Sequence, residues 1–334
     1  MAKPATPALP ALGIDISKKT FNTSLLLNGE IVARGQFDND APGFAKLVSW
    51  FSKQLARTPH TTLHACMEAT GRYARALHRF LYELGHVVSV VNPQRTCNFV
   101  KSRMARTKSD KADADAIAWF CASQKPEPTP PLPPEKLQLQ DITRRIHDLK
   151  SERQRERNRL KAGLEASAVE KDIKQNLKHI EKRIKLLEDE AKQLLDQYPE
   201  LAEQVKLLQS IKGIAFITAV ILVAEIPDVH AFARVGQLVA YAGLNPTHTT
   251  SGTSVKKKSR LSKQGNSHIR AGLFMPILSA IRFNPHIRTL AQRLKAEGRH
   301  KMVINGAAMR KMLHIVYGVL KSGKAYDPNY AFAA

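Results

Sequence analysis

Residues 12–37 read LGIDISKKTFNTSLLLNGEIVARGQF, and their alternation decides the fold of the amino-terminal part. Leu12, Ile14 and Ile16 alternate with Gly13, Asp15 and Ser17, the period-2 pattern of a strand with one apolar face. Asp15 then lies on the face opposite that apolar set. Asn28-Gly29 stands between two further strand-like runs, and this dipeptide suits the positive φ angles of a two-residue hairpin turn. Three strands therefore open the chain. Phe44, Leu47, Val48 and Phe51 follow with helical spacing, then a strand at 61–68, a helix at 72–84, the apolar strand HVVSVV (86–91) closed by Asn92-Pro93, and further helix to about residue 123.

Six prolines in PEPTPPLPP (126–134) predict a semi-rigid, extended linker. Beyond it, Ile173, Leu177, Ile180, Ile184, Leu187, Ala191 and Leu194 repeat at spacings of four and three, the seam of a coiled coil. Leu139, Ile142, Ile146 and Leu149 begin a similar seam, which gives way to the charged run KSERQRERNRLK (150–161). That run reads first as a solvated helix face and second as a nucleic-acid contact. The expected divisions are a disordered amino terminus (1–11), an α/β domain (12–125), the linker (126–134), a coiled coil (135–200) and a mostly helical carboxyl-terminal domain (201–334). Within the last, LLQSIKGIAFITAVILVAEI reads as two helices joined at Gly213. Ala215 replaces the second glycine of a phosphate-binding helix-hairpin-helix, so ordinary helical packing is the expectation there.

The 334 residues include 52 Lys and Arg against 29 Asp and Glu, a net charge of +23. The excess is local: residues 211–334 hold 18 basic and 4 acidic residues, while residues 126–210 hold 17 and 16. Such a surface repels itself unless a polyanion covers it, which makes nucleic acid the leading partner class. Cys66, Cys97 and Cys121 are odd in number and have no CxxC spacing, against a disulfide framework or a zinc site. Prolines at 4, 7 and 10 interrupt any signal-peptide core, and the longest apolar run, 214–224, is too short to cross a bilayer. The expectation is a soluble cytoplasmic protein.

In this basic chain, TKSDKADADA (107–116) gathers Asp110, Asp113 and Asp115. On a helix, Asp110 and Asp113 share the face of Ile117, Phe120 and Cys121, which packs inward, whereas Asp115 is off that face and one turn from Lys111. Asp115 is expected to form a solvated ion pair. Carboxylates at the edge of a core repel one another unless a cation lies between them. Asp15 from the first strand and Glu68 at a strand end can join Asp110 and Asp113, giving an all-oxygen site suited to Mg²⁺ or Mn²⁺ and phosphate oxygens. Strand-end acids that merely cap or pair are the alternative.

GIDISKKTF (13–21), MEATGRY (67–73), VVNPQRTCNF (90–99) and RTKSDKADADAIAWFC (106–121) resemble the RuvC-like, DEDD-type domain of the IS110 family of insertion-sequence transposases, which is similar to the Piv DNA invertases. The resemblance implies an RNase H-like amino-terminal fold, and its element order agrees with the one read above. It implies that Asp15, Glu68, Asp110 and Asp113 are the four acids that bind Mg²⁺, with no place for Asp115.

YAGLNPTHTTSGTSVKKKSRLSKQGNSHIRAGLF (241–274) resembles the transposase domain of the same family. From the residues alone, it reads as a Ser/Thr/Gly-rich loop entering Lys256, Lys257, Lys258 and Arg260. There any of Thr250, Ser251, Thr253, Ser254, Ser259 or Ser262 can bring a hydroxyl to a phosphate held by the cations. A basic loop without chemistry is the plain alternative. The resemblance selects Ser251 as nucleophile and assigns Lys263, Gly265, Asn266 and Arg270 to nucleic-acid backbone contact or loop geometry. His248 and His268 are candidate bases, although surface histidines are commoner than catalytic ones.

These readings together describe a DNA recombinase that cuts and rejoins strands through a phosphoserine intermediate. The heptad seam implies at least a dimer. The resemblance adds a higher homo-oligomer, such as a tetramer, in which one protomer's acids meet another's serine, and a bridge RNA that pairs with donor and target DNA. Two other classes compete: a junction-resolving, metal-dependent nuclease that activates water, and a non-enzymatic architectural protein that needs none of the acids.

Overall fold

The computed structural model describes residues 9–56, 58–69, 71–102, 110–251 and 255–329, with the backbone alone at 110–112, 248–251 and 255–259. These fall into two compact units, 1–131 and 132–334. Most of the stretch expected to be a disordered amino terminus, residues 1–8, lies outside the described residues. Its last residues belong to the sheet: the Pro10 carbonyl accepts from His64 N, and Ala11 is buried.

In the first unit, β1 (Ala11–Ile16), β2 (Thr20–Leu27), β3 (Glu30–Asp38), β4 (His64–Glu68) and β5 (Val87–Val91) form one sheet in the order β3-β2-β1-β4-β5. Strands β1, β2 and β3 pair antiparallel, whereas β4 runs parallel to β1 and β5 parallel to β4. Asn28 and Gly29 make the β2–β3 turn with φ of 49° and 85°, the conformation that makes this dipeptide the favoured hairpin turn.

Alternation along β1 gives the sheet two covered faces. Leu12, Ile14 and Ile16 enter one core with Phe21, Leu25, Ala65 and Met67, under α1 (Ala41–Leu55) and α2 (Arg75–Glu83). Ala11, Leu26, Cys66 and Val91 enter the other with Ile117, Ala118, Phe120 and Cys121 of α4 (Asp110–Gln124). A short helix, α3 (Pro93–Ser102), packs beside α4. The inward face expected for residues 110–121 is therefore observed for Ile117, Phe120 and Cys121, with Ala114 and Ala118 added to it.

Part of the Pro-rich stretch is docked rather than free. Thr129 donates its backbone N–H to Val88 O at 2.8 Å and accepts from Val90 N on its hydroxyl, so this segment runs along the β5 edge. Ser89 Oγ adds contacts to the Pro126 and Glu127 carbonyls.

The second unit opens with two long helices, α5 (Pro134–Ala162) and α6 (Ser167–Gln197), turned back on each other near Gly163 at φ 86°. Ile146 and Leu149 of α5 pack against Ile180 and Ile184 of α6. This corrects one step of the sequence reading: the α6 seam is covered by α5 of the same chain, so it gives no argument for a second copy. The charged run 150–161 continues α5 without a break.

Helices α7 (Pro199–Gln209), α8 (Phe216–Glu225), α9 (Val235–Tyr241), α10 (Ser267–Phe283), α11 (Pro285–Ala296) and α12 (Lys301–Ser322) enclose the main core, built on Leu208, Val223, Leu238, Leu273, Ile277, Leu313 and Val316. Gly213, at φ 105°, turns the chain between α7 and α8 and abuts Ala280 of α10, as ordinary helical packing requires. A two-stranded hairpin, β6 (Pro246–Ser251) and β7 (Val255–Leu261), projects between α9 and α10 in sequence. Residues expected to form a loop here are paired strands, because Thr247, Thr249, Thr250 and Val255 are β-branched and pair across the ladder or close its end. Among the described residues no helix is long and apolar enough to cross a membrane.

A Cβ at Gly13 would lie 2.2 Å from the Ala114 carbonyl oxygen and 2.3 Å from Ala118 N. Helix α4 thus rests its backbone on β1 at a point where only glycine fits. Gly13→Ala should lower stability by about 3 kcal/mol, read as a lower urea midpoint with the slope unchanged. An unchanged midpoint would show that α4 yields at this contact.

Candidate functional site

Three observations bring the sequence-selected acids to one end of the sheet. Ile14 pairs with Met67 across the parallel β1–β4 ladder, so Asp15 and Glu68 are the next residues of neighbouring strands. Ile14 and Met67 belong to the core under α1 and α2, while Gly13 touches α4 and Cys66 shares its core. By alternation, Asp15 and Glu68 return to the α4 face.

The direction of α4 completes the placement. Cys121 Sγ lies 3.3 Å from the His64 carbonyl, near the strand starts, while Ala114 and Ala118 sit over Gly13. The amino end of α4 therefore points toward the carboxyl ends of β1 and β4. At ~1.5 Å per helical residue and ~3.3 Å per strand residue, Asp113 and Asp110 reach about as far beyond Gly13 as Asp15 does. Asp113 is half-buried, and the Asp110 side chain lies outside the described residues.

Glu68 has a partner that the sequence reading missed. Thr96 of α3 is 2% exposed, and its hydroxyl reaches both Glu68 Oε1 and the Pro93 carbonyl. The only sequence signal was a Thr one turn into the helix after Asn92-Pro93, which fits a local cap equally well.

Asp115 forms the expected ion pair, and its partner comes from across the sheet. The pair is made with Arg34 of β3, and Ser24 of β2 adds a hydrogen bond; the side chain of Lys111 lies outside the described residues. Arg34 Nη2 stands 2.8 Å from Asp115 Oδ2, Arg34 Nε stands 2.9 Å from Oδ1, and buried Ser24 Oγ donates to Oδ1 at 2.5 Å. Helix α4 spans β1 and β2, so a residue flanking its inward strip still meets the sheet. Burial pushes this carboxyl up, but hydrogen bonds from Arg34 and Ser24, with the Arg34 charge, outweigh it and hold Asp115 below the ordinary carboxylate range. Asp115 ties α4 to the sheet and takes no part in the four-acid set.

Among the described residues no three His, Cys, Asp or Glu side chains stand close enough to enclose a metal ion. The donor chemistry nevertheless fits a hard divalent cation: carboxylate oxygens only, at adjacent strand ends, with Glu68 oriented by Thr96.

In the second unit, Ser251 ends β6 opposite Val255, and the hairpin is joined through 252–254, which lie outside the described residues. Thr250 pairs with Lys256 and Thr249 with Lys257, so the basic run is built into the same ladder. The side chains of His248, Thr250, Ser251, Lys256, Lys257, Lys258 and Ser259 are outside the description, as are Thr253 and Ser254 entirely; Arg260 and Lys263 are exposed.

The root of this hairpin is clasped shut. Ser262 N donates to Asn245 O, Lys263 N to Gly243 O and Asn266 N to Tyr241 O, at 2.8, 3.1 and 2.7 Å. A Cβ at Gly265 would stand 2.3 Å from the Tyr241 carbonyl oxygen. Arg270 Nη1 lies within hydrogen-bond distance of the Ala242, Gly265 and Asn266 carbonyls, and burial lowers its pKa. Of the two roles open to Gly265, Asn266 and Arg270, loop geometry is the one these contacts serve.

Asn266 also caps α10, accepting from His268 N and Ile269 N, while its Nδ2 donates to Glu225 Oε2 at 2.8 Å. Glu225 is 1% exposed and takes a two-pronged Arg144 at 2.7 and 3.0 Å. Sequence reasoning missed this pair, although a lone acid ending the apolar run FITAVILVAE was its signal. His268 lines a small cavity with Thr143, Arg144, His147, Ile221 and Gly272. Burial lowers its pKa, partly countered by the Glu225 charge.

Comparison with known proteins adds the following. A family model for DEDD transposases of IS110, described as a transposase, matches residues 12–168. A second, described as the transposase IS116/IS110/IS902 family, matches 205–292. The chain is similar to a pilin gene-inverting protein of Moraxella bovis and to another of Moraxella lacunata, each 32% identical over 318 residues, covering 95% of this chain and 97% of the relative. It is 26% identical over 153 residues to an uncharacterized 43.6 kDa protein of insertion element IS110 from Streptomyces coelicolor, covering 46% of this chain and 36% of that protein.

Two outcomes follow. Thr96→Val should reduce metal-dependent DNA cleavage tenfold or more and raise the metal concentration for half-maximal rate, with Thr96→Ser restoring both; equal loss in both variants would leave Glu68 independent of the hydroxyl. Asp115 has a folded pKa below its unfolded value, so its stabilisation is complete above about pH 4 and is lost as pH falls through the folded value. Because Arg34 is half exposed, Asp115→Asn should cost about 1 kcal/mol at neutral pH and almost nothing in strong acid, measured by urea unfolding across pH.

Proposed function

The chain belongs to the IS110 family of transposases, and from that membership we propose that this DNA recombinase joins strands through a phosphoserine made at Ser251. The observation that supports the proposal is the register that sets Asp15 and Glu68 at adjacent strand ends, with α4, the helix of Asp113, directed toward that end, in a chain whose second unit holds Ser251 beside a basic ladder. The strand order β3-β2-β1-β4-β5, antiparallel on one side of β1 and parallel on the other, supports an RNase H-like reading of the first unit.

Asp15, Glu68, Asp113 and Asp110 are the residues that would hold Mg²⁺, or Mn²⁺ in its place. A bound divalent cation supplies Lewis-acid polarisation of the scissile phosphate and offsets the charge that develops on it. The protein's own groups supply the rest. Thr96 fixes the Glu68 rotamer, the β7 cations draw the phosphodiester to the hairpin, and the clasp at 241–266 holds the hairpin root rigid.

In the proposed step, Ser251 Oγ forms a bond to phosphorus and the P–O3′ bond breaks. The serine proton leaves and O3′ gains one, so the products are a 5′-phosphoserine ester and a free 3′-hydroxyl. Attack of another strand's 3′-hydroxyl reverses the same exchange. The ester retains the energy of the phosphodiester, so no nucleotide cofactor enters. The two relatives named for inverting pilin genes support rearrangement, rather than cutting alone, as the outcome. A guide RNA and a higher oligomer belong to this reading through family membership.

A hydrolytic nuclease is the second reading, since the same acids can serve an attacking water. Full-length protein, labelled substrate DNA and Mg²⁺ resolved on a denaturing gel separate the two. The proposal expects a protein–DNA adduct that is lost with EDTA, in Ser251→Ala and in Glu68→Gln. Free cut ends with no adduct, or an adduct that persists in Ser251→Ala, would overturn it.

A further inference from the structure

The residues around α11 carry six cations, Arg282, Arg288, Arg293, Lys295, Arg299 and Lys301, and one acid, Glu297. All six are exposed. Glu297 reaches Arg293 at 3.8 Å and Arg299 at 3.4 Å, while Arg288, Lys295 and Lys301 have no carboxylate partner among the described residues.

Helix stability does not explain this distribution. Arg293 and Lys295, in the last turn of α11, favour the helix dipole. Arg288 lies in the first turn of α11 and Lys301 is the first residue of α12, where a cation faces the positive end of the dipole. Neither helix has an acid in its first turn. Cations kept where they weaken their own helices point to an external anion.

The corner that presents them is rigid. Gly298 adopts φ 70°, and Gly298 N and Arg299 N donate to Lys295 O and Leu294 O, closing α11 with a Schellman turn. His300 then caps α12. At the other end, fully buried Asn284 caps α11 by accepting from Ile287 N. Ile287 and Ala291 bury one strip of α11, and Arg288 and Lys295, seven residues apart, stand exposed together on the flank beside it, about 10 Å apart along the axis.

We infer that the exposed flank of α11 and its corner with α12 form a sequence-independent contact surface for the phosphate backbone of duplex DNA. No Phe, Tyr, Trp or His occurs from 288 to 299, so the flank of α11 itself carries no aromatic ring on which unpaired bases of single-stranded RNA would stack. Cations presented at helical spacing between two capped helix ends suit the regular phosphate array of a duplex. The inference rests on the recombinase reading for the identity of the polyanion, and adds to it where DNA is held outside the β6–β7 hairpin.

The test uses the full chain with R288Q/K295Q/K301Q, and R157Q/K174Q/K192Q as a control that removes equal charge from pairs with Glu181, Glu170 and Asp189. Binding to two unrelated duplexes is followed by fluorescence anisotropy as salt rises from about 50 to 200 mM, with thermal melting to verify the fold. The expected result is a salt slope lower by about 2.7, three lost contacts at about 0.9 each, and equal for both duplexes. The control should change it much less. An unchanged slope, a fall matched by the control, or a loss confined to single-stranded RNA would overturn the surface. Because anisotropy needs no cleavage, a wild-type protein that binds but forms no serine adduct would count against the recombinase chemistry and leave this surface standing.

Discussion

Helix α4 lies on β1 because Gly13 has no Cβ, and the placement of the acids depends on that contact. A side chain at this point would meet the backbone of Ala114 and Ala118, and no rotamer change relieves a backbone clash. With the helix seated, its direction is set by the buried strip Ala114, Ile117, Ala118 and Cys121, and its amino end reaches the strand ends that carry Asp15 and Glu68. Asp115 adds a lateral anchor, drawing α4 toward β2 and β3 through Ser24 and Arg34. Apolar close packing and one glycine thus direct α4 toward the strand ends of Asp15 and Glu68; in the proposed site, a cation would relieve the repulsion among the acids.

The second unit solves a different problem with a buried ion pair. A carboxylate as enclosed as Glu225 is tolerated only because Arg144 and Asn266 satisfy both its oxygens. Those two partners come from α5 and from the loop that follows β7, so a single desolvated acid fixes the long helical hairpin and the root of the serine-bearing hairpin to α8. The proposed role of Ser251 calls for such a rigid root, since a displacement of an ångström at a nucleophile is costly in rate.

Much of this was legible in the sequence. The period-2 run at 12–17, the Asn28-Gly29 turn and the apolar faces of α1 and α4 follow from spacing alone, and each is found. What spacing cannot report is the partner across space. Arg34 and Asp115 are 81 positions apart and Arg144 and Glu225 also 81, so neither pairing leaves a periodic trace. The heptad seam of α6 and the shorter one at Leu139, Ile142, Ile146 and Leu149 of α5 were both visible, but spacing did not tell that they cover each other within one chain. The hairpin holding Ser251 was hidden for another reason: Thr, Ser and Lys favour loops by polarity, and here β-branching and the ladder override that preference.

The most direct test is peptide mapping by mass spectrometry of the full-length protein after reaction with substrate DNA and Mg²⁺ and nuclease trimming. The account predicts a nucleotide joined by a phosphoester to Ser251 and to no other residue. Modification at another hydroxyl, or complete DNA cutting with Ser251 unmodified throughout, would contradict it.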